Sequence, residues 1–280
     1  MGDESGRLSR PRLAPEARAG LPPVLLTRQE LAALVWAVKH TGGTQPFRAA
    51  LSTALPKLQA LATRKDPSTA LALEGALGGW QRGAKDYAGF EPTILRLVEG
   101  IVARRRCRVE YRAPGRDAPK TFPYDPYRLL SVQGGMYCIG KVPAYANLVT
   151  LAVDRIRMIA LTDERFEPDP GFDPKRHEAE AFGIVWERPM RVVVRFRADQ
   201  APYVREREWH PSQRVRTLRD GRLELRVHAG GTLEIVRWVL GWGGAAEVVR
   251  PARLRQLVQA ALGSALAGYR RVPVHRTARG

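Results

Sequence analysis

Acidic residues are what this 280-residue chain runs short of: 28 Asp and Glu face 46 Lys and Arg, which leaves a formal charge of +18. An excess of that size says nothing about fold, but it favours a polyanionic partner. The imbalance is concentrated late, because residues 175–280 carry 21 of the basic residues and only 10 of the acidic ones. Cysteine is nearly absent. Cys107 and Cys138 are the only two, both inside segments patterned as strands, so they are expected as buried thiols. Two cysteines exclude a disulfide framework and a cysteine-based zinc site. The five histidines (His40, His177, His210, His228 and His275) share no ligand spacing. No G-x-S-x-G, H-E-x-x-H or C-x-x-C occurs, so neither catalysis nor a cofactor or metal is expected. No apolar run reaches about 18 residues, and no apolar signal core follows Met1-Gly-Asp-Glu-Ser5. The expectation is a cytoplasmic protein with no membrane partner.

What is present is a series of short alternating segments from Ile101 to Phe172. Cys107, Val109 and Tyr111 alternate with Arg108, Glu110 and Arg112, the period of a half-buried strand. Phe122-Pro-Tyr-Asp-Pro-Tyr127 is extended, and its prolines favour an edge strand or a turn. Met136-Tyr-Cys-Ile139 follows Gly134-Gly135, and Leu148–Ile159 alternates again. Strands this short and this evenly spaced predict a small barrel. Gly135-x-x-x-x-Gly140-Lys141 has the spacing of a phosphate loop. The next residue is Val142, however, and the interior is apolar and strand-like, so nucleotide hydrolysis is not expected.

Ahead of these strands, Thr27-Arg-Gln-Glu30 forms a capping box for a helix with Leu31, Leu34, Val35 and Val38 on one stripe. Thr41-Gly-Gly-Thr44 ends it, and Pro46 opens a second helix that Pro56 should kink. Ile94, Leu97, Val98 and Ile101 mark a helix feeding the strands. Beyond them, Val192, Val194 and Phe196 alternate with arginines, and Asp220-Gly221 marks a hairpin. A helix near Thr232–Leu240 is expected to bury Leu233, Val236 and Leu240, and Pro251 opens a last helix striped by Leu254, Leu257, Val258, Ala261 and Leu262.

The run Val109 and Tyr111; Pro126, Tyr127 and Leu129; Gly135 to Cys138; Asp154, Arg155 and Ile156; then Phe166 resembles the WYL domain of bacterial transcriptional regulators. Of the naming triplet only the Tyr stands, in Met136-Tyr137-Cys138. The stretch Tyr203–Gln213, with Asp220-Gly221, Trp238-Val-Leu-Gly241 and Pro251-Ala-Arg-Leu-Arg255, resembles the C-terminal extension of those regulators. The Leu21-Pro-Pro-Val-Leu-Leu-Thr27 entry looks like the end of a wing and its helical linker. In such regulators a winged helix would precede Met1, and its absence here fits a truncated chain, a start placed late or a subtype without it. The resemblance implies an α+β chain: a helical linker, an Sm-like, SH3-type small β-barrel, then a small α+β sandwich. The expected division is 1–20 disordered or wing remnant, 21–92 helical linker and dimerisation region, 93–172 barrel, 173–185 connector, 186–272 C-terminal extension and 273–280 basic tail.

Basic residues interleaved with aromatics suit single-stranded nucleic acid, where cations hold phosphates and rings stack under bases. The candidates are Tyr127, Arg128, Tyr137, Lys141, Arg155 and Arg157 in the barrel, with Arg205, Arg207, Trp209, His210 and Gln213 in the second domain. Arg155 and Arg157 are expected on one strand face, and Arg205, Arg207 and Trp209 on another. In the family the motif Tyr and the Arg of Asp-Arg-Ile belong to a basic ligand pocket, which carries over to Tyr137 and Arg155. The implied function is the effector-sensing, homodimerising part of a regulator. Its effector would be nucleic acid, single-stranded DNA first among the candidates, and promoter DNA would be read by a winged helix not present in this chain. The alternatives are an accessory module that binds RNA or single-stranded DNA for a defence nuclease, and a sensor of a small anionic metabolite.

Overall fold

Residues 85–271 are described without a break in the computed structural model, together with Gly83 and scattered positions between Thr27 and Lys57. The expectations for 1–20 and 273–280, and for most of the two leading helices, lie outside the described residues. Within them the capping box at Thr27 is made. The Thr27 backbone N–H donates to Glu30 Oε2 at 2.8 Å, and the Glu30 N–H donates to Thr27 Oγ1 at 3.2 Å. By its contacts the chain divides into two compact units near residue 80, and every element named below belongs to the second.

Helix α1 (Glu91–Ala103) buries Ile94, Leu97 and Gly100, and Val98 of the expected stripe is left exposed. It stops at Arg104, whose φ of 51° is left-handed, and the chain turns into β1 (Arg105–Tyr111). The strands β2 (Lys120–Val132), β3 (Gly135–Lys141), β4 (Leu148–Ala152) and β5 (Ile156–Arg165) follow. All pairings are antiparallel, in the order β4-β3-β2-β1-β5. The expected barrel is thus a five-stranded sheet, bent where β2 changes partner, that does not close, since among the described residues no pairing joins β4 to β5.

Two expectations about this sheet need correction. The Pro-punctuated segment is not a turn or a separate edge strand but the middle of β2, and the edge expectation holds only locally. It is tolerated because β2 changes partner there: Lys120–Tyr124 pairs with β1, and Asp125–Val132 pairs with β3. Each half is therefore locally an edge, where a missing N–H is harmless. The alternation across Leu148–Ile159 is also interrupted, because Val153–Arg155 forms a single 3₁₀ turn between β4 and β5.

The core beneath α1 holds Cys107, Val109, Tyr124, Cys138 and Ile139, all essentially inaccessible. The Tyr124 hydroxyl is satisfied by donating to the Cys138 carbonyl at 2.8 Å. Both cysteines are free, as expected, and burial pushes each thiol up to about 12. Gly140 is required where β3 crosses β2, because a Cβ there would lie 2.3 Å from the Asp125 carbonyl. The phosphate-loop spacing is part of β3, as its apolar interior implied.

A connector containing α2 (Pro174–Glu180) leads to the C-terminal domain. There β6 (Met190–Phe196), α3 (Ala201–Arg205), β7 (Arg214–Thr217), β8 (Leu223–Ala229), α4 (Thr232–Leu240), β9 (Ala246–Arg250) and α5 (Ala252–Arg271) follow in turn. The antiparallel order β7-β8-β6-β9 on a β-α-β-β-α-β chain is a split βαβ sandwich. Its core joins Val192, Val194 and Phe196 to Leu225, Ile235, Val239 and Leu254. The hairpin at Asp220-Gly221 is present, with Gly221 at φ 80°. Helix α4 has the expected bounds but turns Ile235, Val236 and Val239 inward and leaves Leu233 exposed.

Candidate functional site

The loop from Arg112 to Pro119 and the 3₁₀ turn at 153–155 meet at one end of the bent sheet. The backbone N–H of Arg112 donates to the Arg155 carbonyl at 3.1 Å, which fixes the two segments together. Between them lies a cavity of about 390 Å³, lined by Arg112, Arg116, Arg155 and Arg157 with Asp117 and Asp154. Among the described residues none of these four guanidinium groups has a carboxylate partner.

That freedom has a cause. Asp154 precedes Arg155 and would be its obvious partner. Instead both carboxylate oxygens of Asp154 accept from Lys85 Nζ, at 2.7 and 2.8 Å. Lys85 is held in place by its own backbone N–H, which donates to the Gly134 carbonyl at 3.1 Å. Its ammonium also lies 5.7 Å from the centre of the Tyr137 ring. Lys85 therefore takes up the acid adjacent to Arg155 in sequence, while Asp117 stays in the cavity lining, and it links Tyr137 to the rim of the cavity. Sequence reasoning missed Lys85, Arg112 and Arg116. The alternation ending in Arg112 was visible, but nothing local shows where a loop folds back.

The other expected residues fall into two groups elsewhere. Tyr127, Arg128 and Lys141 fasten the connector to the sheet. The Tyr127 hydroxyl accepts from the Asp169 N–H at 3.1 Å, and its ring stacks on Phe166 at 5.6 Å. Burial raises the Tyr127 phenol above its ordinary range. Lys141 Nζ lies 3.1 Å from Asp169, and Arg128 lies 2.6 Å from Glu178 on α2. The Gly171 N–H and Lys141 hold the Asp169 carboxyl below its usual value.

The second group lies in the C-terminal domain. Arg205 ends helix α3, so Arg205, Arg207 and Trp209 do not share a strand face. Trp209 packs against Trp238 and Trp242 with ring centres 5.3 and 5.6 Å away, and its indole N–H donates to the Val204 carbonyl. Arg207 lies over the Trp209 ring at 5.6 Å, and Arg205 donates to the Thr217 hydroxyl at 2.6 Å. Gln213 closes the turn, accepting from the Trp209 N–H and donating to the Arg207 carbonyl. His210 is buried, stacks on Phe182 at 6.2 Å, and is pushed toward its neutral form by burial. None of the residues from 205 to 213 lines the cavity at Arg155.

A larger cavity of about 800 Å³ is lined by residues that include Phe172, His177 and Trp186. Its rim sets Asp169, Asp173, Glu180 and Glu187 against Arg176 and Arg188, so it lacks the positive bias that an anion requires. Among the described residues no group of His, Cys, Asp or Glu gathers to hold a metal, and no helix is long and apolar enough to cross a membrane.

Two family models match the chain: the WYL domain over residues 92–161 and the WCX domain over residues 188–266. No curated protein sequence matches it. Among solved structures it is similar to proteasome accessory factor B/C (PafBC) of Arthrobacter aurescens, at 20% identity and a TM-score of 0.33, over 88% of this chain. It spans only 37% of that PafBC chain. It is also similar to a CRISPR Cas-related protein, at 10% identity and a TM-score of 0.45, over 87% of this chain and 72% of that one. The two domain matches fall on the five-stranded sheet with its helix and on the split βαβ sandwich, in that order, and the chain carries a WYL domain followed by a WCX domain.

Proposed function

We propose that this chain is the sensing part of a WYL-type regulator and that the cavity at Arg155 holds the phosphates of a nucleic-acid effector, single-stranded DNA in the first instance. The observation that carries this reading is the set of four guanidinium groups around one cavity that have no carboxylate partner among the described residues, with Asp154 paired to Lys85 and Asp117 the other acid of the lining. Guanidinium groups present forked donors that match phosphate oxygens, and in a partly enclosed site they hold them more strongly than in open water. Tyr137, joined to the rim through Lys85, supplies a ring near the path of a base. Effector binding would then bias the geometry of a homodimer, and with it the operator affinity of an attached winged helix. Leu262, Leu266 and Tyr269, all exposed on α5, supply an apolar surface suited to the second copy.

The size of the cavity also favours a second reading, a small anionic metabolite, because about 390 Å³ is room for a single compact ligand. Fluorescence anisotropy with labelled single strands, lengthened stepwise from a mononucleotide, separates the two. The expected result is affinity that climbs over several nucleotides. In the double variant Arg155→Ala, Arg157→Ala it should fall, with a salt slope shallower by about 1.4, since each single-strand phosphate contact contributes roughly 0.7. A mononucleotide that binds as well as any oligomer supports the metabolite, and an unchanged double variant removes the cavity from the account.

A further inference from the structure

The four-stranded sheet of the C-terminal domain has one face covered by the core under α4 and α5 and one face left open. The open face is basic. Arg191 and Arg195 on β6, Arg214 on β7, Arg226 and His228 on β8, and Arg250 on β9 line a shallow cavity of about 510 Å³ there. Strand register sets several of them side by side. Arg214 pairs with Arg226, Arg226 with Val193, and Val193 with Arg250, so one row across all four strands carries three arginines. With strands about 4.8 Å apart, that row spans roughly 15 Å.

Like charges packed this closely repel unless something compensates them. Two acids do so in part: Glu224 on β8, and Glu247 on β9, which lies opposite Arg195 in register and is itself paired with Arg255 at 2.7 Å. Glu224, on the same face and only 4% exposed, accepts from Arg195 at 3.1 Å and from Arg226 at 2.7 Å. It holds those two guanidinium groups against the sheet. Arg191, Arg214 and Arg250 have no carboxylate partner among the described residues, and all three are exposed. A sheet that needed only a solvated outer face would alternate the signs of its charges. This one concentrates positive charge across its full width.

We infer that this open sheet face is a contact surface for the sugar–phosphate backbone of double-stranded DNA, used without regard to base sequence. Charge complementarity argues for a nucleic-acid backbone, since a duplex offers one negative charge per roughly 1.7 Å of axis. A duplex is favoured over a single strand because, among the described residues, no Phe, Tyr or Trp lines the face. A single strand would gain none of the roughly 1–3 kcal/mol per base that aromatic stacking supplies. The face shares no lining residue with the cavity at Arg155, so it does not rest on the effector reading.

The test uses the full chain and a labelled duplex of arbitrary sequence, titrated across a salt series by fluorescence anisotropy. The triple variant Arg191→Ala, Arg214→Ala, Arg250→Ala should bind the duplex more weakly. Its plot of log affinity against log salt should be shallower by about 2.7, since each duplex phosphate contact contributes roughly 0.9. A control triple, Arg108→Ala, Arg219→Ala, Arg237→Ala, removes equal charge from exposed positions that do not line this face. It should leave the slope near that of the parent. Equal losses in the two triples would reduce the effect to bulk charge and overturn the surface. So would an unchanged slope in the face triple, or tighter binding of a single strand of the same length through the same three residues. The variant Arg155→Ala, Arg157→Ala should keep the parent's duplex slope, so the effector reading and this one fail separately.

Discussion

Lys85 does not line the cavity at Arg155, yet replacing it should weaken effector binding, because its task is to occupy Asp154. In Lys85→Met the chain keeps its length and loses its charge, and the Asp154 carboxylate is left unpaired beside Arg155 and Arg157. A negative charge roughly 6 Å from a bound phosphate costs between about 0.7 and 2.8 kcal/mol as the effective dielectric falls from 80 to 20. The side chains of Lys85 and Asp154 are 35% and 23% exposed, so solvent screens the pair and the lower end applies. The expected loss is about 1 kcal/mol, or roughly fivefold in affinity for a single strand at low salt, shrinking as ionic strength rises. Asp154→Asn should bind at least as tightly as the parent. The decisive measurement is the double variant: if unpaired Asp154 turns to Arg155, Lys85→Met should cost clearly less in the Asp154→Asn background than in the parent. A Lys85→Met loss that persists undiminished in the Asp154→Asn background would refute the neutralisation argument and point to direct contact instead.

Two further outcomes concern stability. Arg106 grips the buried Asp125 through two guanidinium nitrogens, at 2.6 and 3.1 Å, and also reaches Glu164. Arg106→Ala strands that carboxylate and should cost about 3 kcal/mol, whereas Asp125→Asn leaves Arg106 its second acid and should cost about 1 kcal/mol. In a unit of this size the difference is roughly 4–8 °C in Tm, and the reverse order in thermal unfolding would disprove it. His177 and His210 are both held below the ordinary histidine range, chiefly by burial, with Glu178 and Glu180 opposing the shift at His177. The unfolded chain therefore takes up protons first as pH falls, near about 6.5, and stability should be level above about pH 7 and decline below that point. The carboxylates of Glu180, Glu187 and Glu224 are held low and titrate further down, so the decline between about pH 6.5 and 5 belongs to the histidines. His177→Phe, filling the place between Phe172 and Trp186, should lessen it and leave the part due to His210, and a Tm slope that His177→Phe leaves unaltered would remove His177 as a contributor.

The elements that were legible in the sequence are those whose signal is local. The capping box at Thr27, the hairpin at Asp220-Gly221, the helix at Thr232–Leu240 and the buried thiols all follow from spacing within a few residues. Sheet closure depends on where distant edges arrive, and no local period reports that, so an expected barrel became an open bent sheet. The candidate site shows the same boundary. Arg155 and Arg157 were visible as a basic pair, but what makes them available is an ion pair between residues 69 positions apart. The same composition that supplied the candidates also supplied their competitors. A basic side chain beside an acidic one in the sequence reads as a pair, and here Asp154 turns away from its neighbour to Lys85 while Arg128 and Lys141 are taken up by acids of the connector. In a chain with 46 basic and 28 acidic residues, function is decided less by where the cations are than by which of them the scarce acids leave unpaired. Local pattern gives the positions of the charges, and only the fold gives the pairing.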